Sequence, residues 1–246
     1  MAGAFLKPRH TPGARVDELG HGYVRLSLPA GEATSYRLAQ LDDYAHLPRG
    51  RFPHHTLTLN LLARTSATSL PGTWGFGLWN DPFGLSLGFG GGPFRLPALP
   101  NAAWFFGASR ENHLSFRDDL PAQGFLAQTF CSPQFHPRLG LAGLALPFSR
   151  RWARRQLGRV IGEDGVVLSV DPSQWHRYRL EWSLTRVVWE VDDARVYESA
   201  VSPNSPLGVV IWIDNQYAAF TPQGRVTMGV LANEAAWLEI KELEIK

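Results

Sequence analysis

Gly72-Thr73-Trp74-Gly75-Phe76-Gly77-Leu78-Trp79-Asn80-Asp81-Pro82-Phe83 places two tryptophans, three glycines and an Asn-Asp-Pro stop within one strand length. In an extended chain successive side chains point to opposite faces. Trp74, Phe76, Leu78 and Asn80 therefore share one face, which reads as core. Gly75, Gly77, Trp79 and Asp81 share the other. Two readings of that second face stand side by side. It is a floor cleared by glycine over which a ligand or another backbone approaches closely, or a glycine-relieved twist in a central strand with Trp79 buried.

Strand signals extend outward from this stretch on both sides. Residues 56–64 alternate most clearly, with Leu57, Leu59, Leu61 and Ala63 inward and Thr56, Thr58 and Asn60 outward. Residues 23–28 alternate and stop at Pro29-Ala30-Gly31; residues 35–44 form another candidate, and residues 103–108 are short and wholly apolar. Shorter candidates lie at residues 114–116 and 125–127. After a turn at Glu163-Asp164-Gly165 the pattern resumes at residues 175–182, 187–191, 207–213, 227–232 and 237–245. Residues 1–20 read as an irregular arm, and the glycine- and proline-rich residues 85–100 as loops with a strand fragment. Helical spacing is strong only over residues 149–161, with Ser149 as N-cap and Gly162 as stop. There Trp152, Ala153, Leu157 and Val160 form one arc, opposite Arg150, Arg151, Arg154 and Arg155. About a dozen short strands with one helix predict an all-β sandwich, a barrel being the structural alternative.

Composition narrows the function classes. A chain of 246 residues with no evident linker fits one domain spanning 1–246. The formal charge is +2, yet six arginines and no acids fall between Arg138 and Arg159, leaving the rest of the chain net acidic. Basic character confined to one segment argues against a nucleic-acid partner. The apolar-then-basic insertion, residues 138–162, has three readings: contact with an anionic membrane surface through 138–160, a lid over the sandwich, or an ordinary helix packing its apolar arc on the domain. Arg150, Arg151, Trp152, Arg154 and Arg155 carry the first two. Cys131 is the one cysteine, so neither an internal disulfide nor a thiolate metal cluster is available. His54 and His55 point opposite ways on a regular strand and do not grip one metal. No metal, cofactor, phosphate loop or nucleophile elbow is implied. With no apolar run before Lys7-Pro8 and no stretch of membrane-spanning length, the expectation is a cytoplasmic protein, peripheral at the membrane in one reading.

Trp175-His176-Arg177-Tyr178-Arg179-Leu180-Glu181-Trp182, followed by Val187-Val188-Trp189-Glu190-Val191-Asp192-Asp193, resembles a phrase of concanavalin A-like glucanases, family 16 glycoside hydrolases especially. In those a Trp/Phe-His-x-Tyr-x-Ile/Leu-x-Trp strand leads to a hairpin ending in Val-Asp-Gly. Residues 72–80 are similar to the glycine-tryptophan strand that lines their cleft, and Trp237-Leu238-Glu239-Ile240 to their closing strand. The resemblance implies a jelly-roll sandwich of two antiparallel sheets with a concave cleft. The family's machinery is Glu-x-Asp-x-Glu, or that pattern with one inserted residue, on one strand. No such run occurs here; Glu190-Val191-Asp192 supplies half of it at the hairpin, and position 194 is alanine. Retaining glycosidase chemistry by that route is not expected. Asp193 also stands where the family's turn has glycine, which leaves the shape of the hairpin open.

A second unusual phrase is Ile211-Trp212-Ile213-Asp214-Asn215-Gln216-Tyr217. With Ile211 and Ile213 inward, Trp212, Asp214 and Gln216 share the opposite face and suit a polar ligand; an edge strand with a turn at Asp214-Asn215 is the plainer reading. Gln40, Asp42 and Asp43 beside Tyr44 read as a solvated turn in preference to a cation site. The leading functional reading is a non-catalytic binding module that holds a saccharide or similar polar ligand through Trp79, Asp81, Trp212, Asp214 and Gln216. The alternative is a cytosolic or membrane-surface enzyme or carrier for an apolar small molecule such as a lipid or isoprenoid, and a structural or interaction protein comes third. For an enzyme, strand parity nominates Asp81, Glu181, Glu190 and Asp214 as acid/base carboxylates.

Overall fold

The computed structural model describes residues 6–82, 98–133 and 149–246. These residues form sixteen strands: β1 Lys7–His10, β2 Arg15–Gly20, β3 Tyr23–Leu28, β4 Leu38–Asp42, β5 Leu57–Thr65, β6 Thr73–Trp79, β7 Ala102–Ala108, β8 Gly124–Cys131, β9 Gly162–Val167, β10 His176–Trp182, β11 Val187–Val191, β12 Ala194–Ser199, β13 Gly208–Asp214, β14 Gln216–Phe220, β15 Val226–Val230 and β16 Ala236–Ile245. The helix α1 spans Arg150–Gly158. Seven strands make a first sheet in the order β1-β4-β13-β6-β7-β8-β9, and seven a second in the order β12-β11-β10-β5-β16-β3-β2. Strands β14 and β15 pair as a separate hairpin. All ladder pairings within the sheets are antiparallel, giving the β-sandwich that the alternating pattern predicts.

The sheets face each other across one apolar core. Leu57, Leu59, Leu61 and Ala63 of β5 meet Tyr178, Leu180 and Trp182 of β10 on the second sheet's inner face; Trp74, Phe76 and Leu78 of β6 meet Phe105 of β7 and Ile211 of β13 on the first sheet's. Each fully buried leucine or phenylalanine contributes about 2 kcal/mol of transfer free energy. The indole of Trp189, itself fully buried, donates to the Trp104 carbonyl at 3.0 Å, so this core indole leaves no orphaned donor.

The second sheet is wet on its outer face, and the first is not. Beyond the first sheet lies another apolar cluster, containing Trp104, Phe106, Leu126, Phe130 and Trp212, beneath loops, the β14–β15 hairpin and α1. Burial on both faces explains why β7 is wholly apolar where a one-sided strand would alternate.

Several expectations are corrected. The arm at residues 1–20 contains two regular strands, β1 and β2, each at the edge of a sheet. The side chains of β2 are largely exposed, so backbone pairing holds this strand without an apolar stripe to announce it. Glu163-Asp164-Gly165 is no turn but part of edge strand β9, where Asp164 accepts hydrogen bonds from Tyr197 (2.7 Å), Ser199 (2.7 Å) and Arg117 (3.0 Å). Residues 114–116 are irregular, with only an isolated bridge between His113 and Ala219 beside them. Strands β12 and β14 were not anticipated. The β11–β12 hairpin does form, with Asp192 and Asp193 at φ of 51° and 63°: a two-residue turn with both residues left-handed, which aspartate tolerates. The strand fragment within residues 85–97 and the apolar half of the insertion, residues 138–148, lie outside the described residues.

Glycine at position 77 is sterically required. A Cβ there would sit 2.4 Å from the Ala103 carbonyl oxygen and 2.6 Å from Trp104 Cα, whereas a Cβ on Gly50 would meet nothing within 4 Å. Gly77→Ala is expected to cost roughly 3 kcal/mol in urea denaturation, and Gly50→Ala to stay within about 0.5 kcal/mol of the native protein. Equal effects would mean that β6 and β7 do not approach this closely.

Candidate functional site

On the outer face of the first sheet, β6 lies between β13 and β7, and residues across the three strands alternate large and small. Gly75 is flanked by Trp212 and Phe106, Gly77 by Val210 and Trp104, and Trp79 by Gly208 and Ala102. A Cβ on Gly75 would fall 3.0 Å from Trp212 Cη2, and one on Gly77 2.7 Å from Trp104 Cβ. The floor that glycine clears is thus filled first by the protein's own indoles. Trp79 and Trp212 lie with planes 4° apart and centroids 6.2 Å apart, and Trp104 leans on Trp212 at 5.6 Å and 51°.

These three indoles form one wall of a cavity of about 400 Å³. Phe106, Phe130 and Leu38 extend that wall across the sheet; Leu114, Phe116, Phe220 and Met228, from the loops and the hairpin, face it. Asp81, Asp214 and Gln216 also line it, so the structure brings together all five nominated ligand residues. The packed indoles show that parity had identified the face, while the register across strands decided what fills it.

Asp214 is the most heavily engaged polar group here. Its Oδ1 accepts from Thr73 N at 3.1 Å, Thr73 Oγ1 at 2.9 Å and Gln216 N at 3.2 Å, while Tyr36 Oη donates to Oδ2 at 3.3 Å. Thr73 Oγ1 in turn accepts from Trp212 Nε1 at 3.0 Å, tying the indole to the carboxyl. Burial among aromatic side chains pushes Asp214 up to about 7, against the opposing pull of the hydrogen bonds it accepts. A carboxyl in that range can hold or release a proton near neutral pH. His113, also on the cavity, is held below the usual histidine range by burial and by Arg154.

Sequence reading missed Tyr36, Thr73, Trp104 and Phe106 as cavity residues. Trp104 and Phe106 looked like plain core because β7 carries no polar contrast. Gln40 and Asp42 were read as solvated but are buried: Gln40 Nε2 donates to Asp42 Oδ2 at 2.8 Å and to Tyr44 Oη at 3.2 Å, and Gln40 reaches the cavity. Strand β4 is buried on both faces, Ala39 and Leu41 in the core between the sheets and Leu38 in the outer apolar cluster.

The four nominated acids do not converge. Asp81 and Asp214 line the cavity, whereas Glu181 and Glu190 stand on the outer face of the second sheet, at 3.1 Å and 3.6 Å from Arg179. Parity placed them opposite the core correctly, but a sandwich has two such surfaces. Among the described residues no group of three or more histidine, cysteine or acidic side chains is arranged to hold a metal.

The arcs of α1 are also corrected. Ser149 caps it as expected, accepting from Trp152 N at 3.4 Å, but Trp152 is 38% exposed and Arg154 only 3%. Arg154 donates to Asp118 Oδ1 at 2.6 Å, to the Phe220 carbonyl at 2.8 Å and to the Ser115 carbonyl at 3.0 Å. It therefore pins the loop and hairpin that carry Phe116 and Phe220 into the cavity. Arg150, Arg151 and Arg155 remain exposed.

In the unfolded chain the Asp214 carboxyl ionises near the ordinary aspartate value, and in the fold only near 7, so between these values the folded state alone retains the proton. Stability contributed by this group accordingly falls as pH rises through that window. Unfolding free energies of Asp214→Asn and the native protein should diverge in the variant's favour by about 3 kcal/mol from about pH 4 to about pH 7 and run parallel above it. A pH-independent difference in urea titrations would contradict the burial-raised carboxyl.

No protein-family model matches this sequence, and no curated protein does either. Solved structures do resemble it. A glycoside hydrolase family 16 endo-glucanase from Bacteroides ovatus has a TM-score of 0.52 at 8% identity, over 98% of this chain and 94% of that one. LamAcat from Zobellia galactanivorans has a TM-score of 0.49 at 14% identity, over 92% and 78% of the two chains. A functionally unknown protein from Saccharomyces cerevisiae has 0.46 at 9% identity, over 100% and 98%. Two seven-stranded antiparallel sheets, matched over nearly their whole length by the endo-glucanase, give this chain the jelly-roll sandwich fold that the endo-glucanase has.

Proposed function

We propose that the protein binds a small molecule with an apolar body and one polar group, enclosed on the outer face of the first sheet. The observation that carries this reading is the cavity itself: about 400 Å³ walled by Trp79, Trp104, Trp212, Phe106 and Phe130, with Asp214 at one point of an otherwise mainly apolar surface. Such a volume suits a ligand of modest size. Most nearby polar groups are already engaged: Asn112 by Gly72, Ser109 and Ala218, Gln40 by Asp42 and Tyr44, Thr73 by Trp212 and Asp214. A hydroxyl-dense ligand would have to strip water from many hydroxyls and find few partners, which costs free energy for each unmatched group. An apolar body displaces only poorly held water. This favours the apolar-molecule alternative over the saccharide that the sequence pattern ranked first.

The saccharide reading keeps one specific support. The parallel indoles of Trp79 and Trp212 resemble the flat aromatic surface on which a sugar ring stacks, and the fold is shared with an endo-glucanase. Whether chemistry accompanies binding turns on Asp214; the outward positions of β7, which lies across β6 from it, carry Ala102, Trp104, Phe106 and Ala108 in place of carboxylates.

Titration calorimetry with 4-tert-butylcyclohexanol and with a β-linked glucose tetrasaccharide separates the two. The alcohol is expected to bind, and Leu114→Trp, which fills the cavity from its far wall, to weaken it by at least about tenfold, or 1.4 kcal/mol. Tetrasaccharide binding that is lost in Trp79→Leu, with no binding of the alcohol, would overturn this reading in favour of the saccharide.

A further inference from the structure

Resting on the reading of this cavity as a ligand site, we propose that its ligand is cationic: an amine or quaternary ammonium whose charged head sits among the indoles beside Asp214. Three independent features of the wall point there. Its described lining residues include two aspartates, Asp81 and Asp214, and neither lysine nor arginine. The one basic side chain among them, His113, is held below the usual histidine range by burial and by Arg154. Arg49 and Arg154 stand behind this lining, on the Asp81 carbonyl and the His113 ring, and neither borders the cavity.

The second feature is aromatic. Trp79, Trp104 and Trp212 lie within 6.2 Å of one another by ring centroid and Tyr36 joins them on the lining, so several electron-rich faces border one space. Cations bind over such faces, tryptophan best of all, and bind more strongly when the site is dry. A neutral hydrocarbon would gain the same burial without that attraction.

The third is the asymmetry of the carboxyl. Oδ1 of Asp214 already accepts three hydrogen bonds, from Thr73 N, Thr73 Oγ1 and Gln216 N, while Oδ2 takes the 3.3 Å contact with Tyr36. Oδ2 is thus the oxygen with acceptor capacity left for a ligand's positive charge or N–H donor. The groups around it are Tyr36 before β4, Thr73 on β6, Gln216 on β14 and, farther round the wall, His113 and Asp81; Arg9 of β1 acts on Tyr36 from outside and lies 3.9 Å from Asp42. Binding a cation beside Asp214 favours its ionised form, so one proton leaves as the ligand enters. Affinity should therefore rise with pH up to the carboxyl's ionisation near 7 and level off above it.

Choline and 3,3-dimethylbutan-1-ol test this, because they differ chiefly in a quaternary nitrogen against a quaternary carbon. At about pH 8 choline is expected to bind the native protein at least about tenfold more tightly than the alcohol. Asp214→Asn should reduce that preference to within about twofold while the alcohol still binds. Should the variant fail to fold, the native protein suffices: choline affinity should rise about tenfold between about pH 5.5 and about pH 7.5, with the alcohol unchanged. Equal binding of the two compounds, or choline affinity flat with pH, overturns the cationic ligand and leaves the cavity reading intact. If neither binds but 4-tert-butylcyclohexanol does, the same conclusion holds; if none of the three binds, both readings fall.

Discussion

The architecture depends on close approach between β6 and its two neighbours. Where β13 or β7 presents an indole, β6 presents glycine, and where β6 presents Trp79 the neighbours present Gly208 and Ala102. Residues opposed across a sheet stand only about 5 Å apart, so an indole that lies flat over the neighbouring strand collides with any side chain opposite it. Alternating large and small across the strands removes the collision and lets the rings lie over the glycines. The same arrangement leaves the upper surfaces of the rings as a wall, which is how a packing solution becomes a binding surface.

The two sheets then follow different rules. The second has a wet outer face, where polar side chains form networks: Glu239, with no exposed surface, is held by Arg25 and by Arg64 Nε at 2.8 Å, and the Arg64 guanidinium lies over Trp175 and Trp237. Against its burial, hydrogen bonds from Tyr23, Arg64 and Arg25 hold the Glu239 carboxyl below the ordinary value. The first sheet is covered on both sides, inside by the other sheet and outside by loops, hairpin and helix. Arg154 secures that outer cover through carbonyls rather than through a matching buried acid, its one carboxylate partner, Asp118, being exposed. A guanidinium with several carbonyl partners can be buried at far lower cost than a lone charge.

Asp214 lies beneath this outer cover, on the first sheet. It closes the end of β13, satisfies the backbone of β6 and β14, and stands in an aromatic wall where an ionised carboxylate is disfavoured. Apolar packing alone would be met as well by an amide or a methyl-bearing side chain, and a solvated loop would leave the carboxyl ordinary. An acid held near its ionisation point inside an aromatic cavity is instead suited to answering charge on whatever enters.

Sequence alone was enough for periodicity. The two-residue repeat in β3, β5, β10 and β16 identified strands and their inward faces, the interrupted Trp-Gly stretch read as a strand with Trp74, Phe76 and Leu78 toward the core, and Trp212, Asp214 and Trp79 were assigned to a common kind of surface from parity within each strand. Side-chain alternation is a local property of an extended chain, so it survives without coordinates. Which strands lie side by side is not local. Thr73 and Asp214 are 141 residues apart in the chain, and only the ladder between β6 and β13 joins them. Edge strands such as β2 and β9 are held by backbone hydrogen bonds that leave no side-chain signature, and Glu181 and Glu190 went to the far surface because parity distinguishes in from out but not one outer face from the other. The burial of Arg154 likewise came from the carbonyls that tertiary packing set around it, which no residue pattern along α1 encodes.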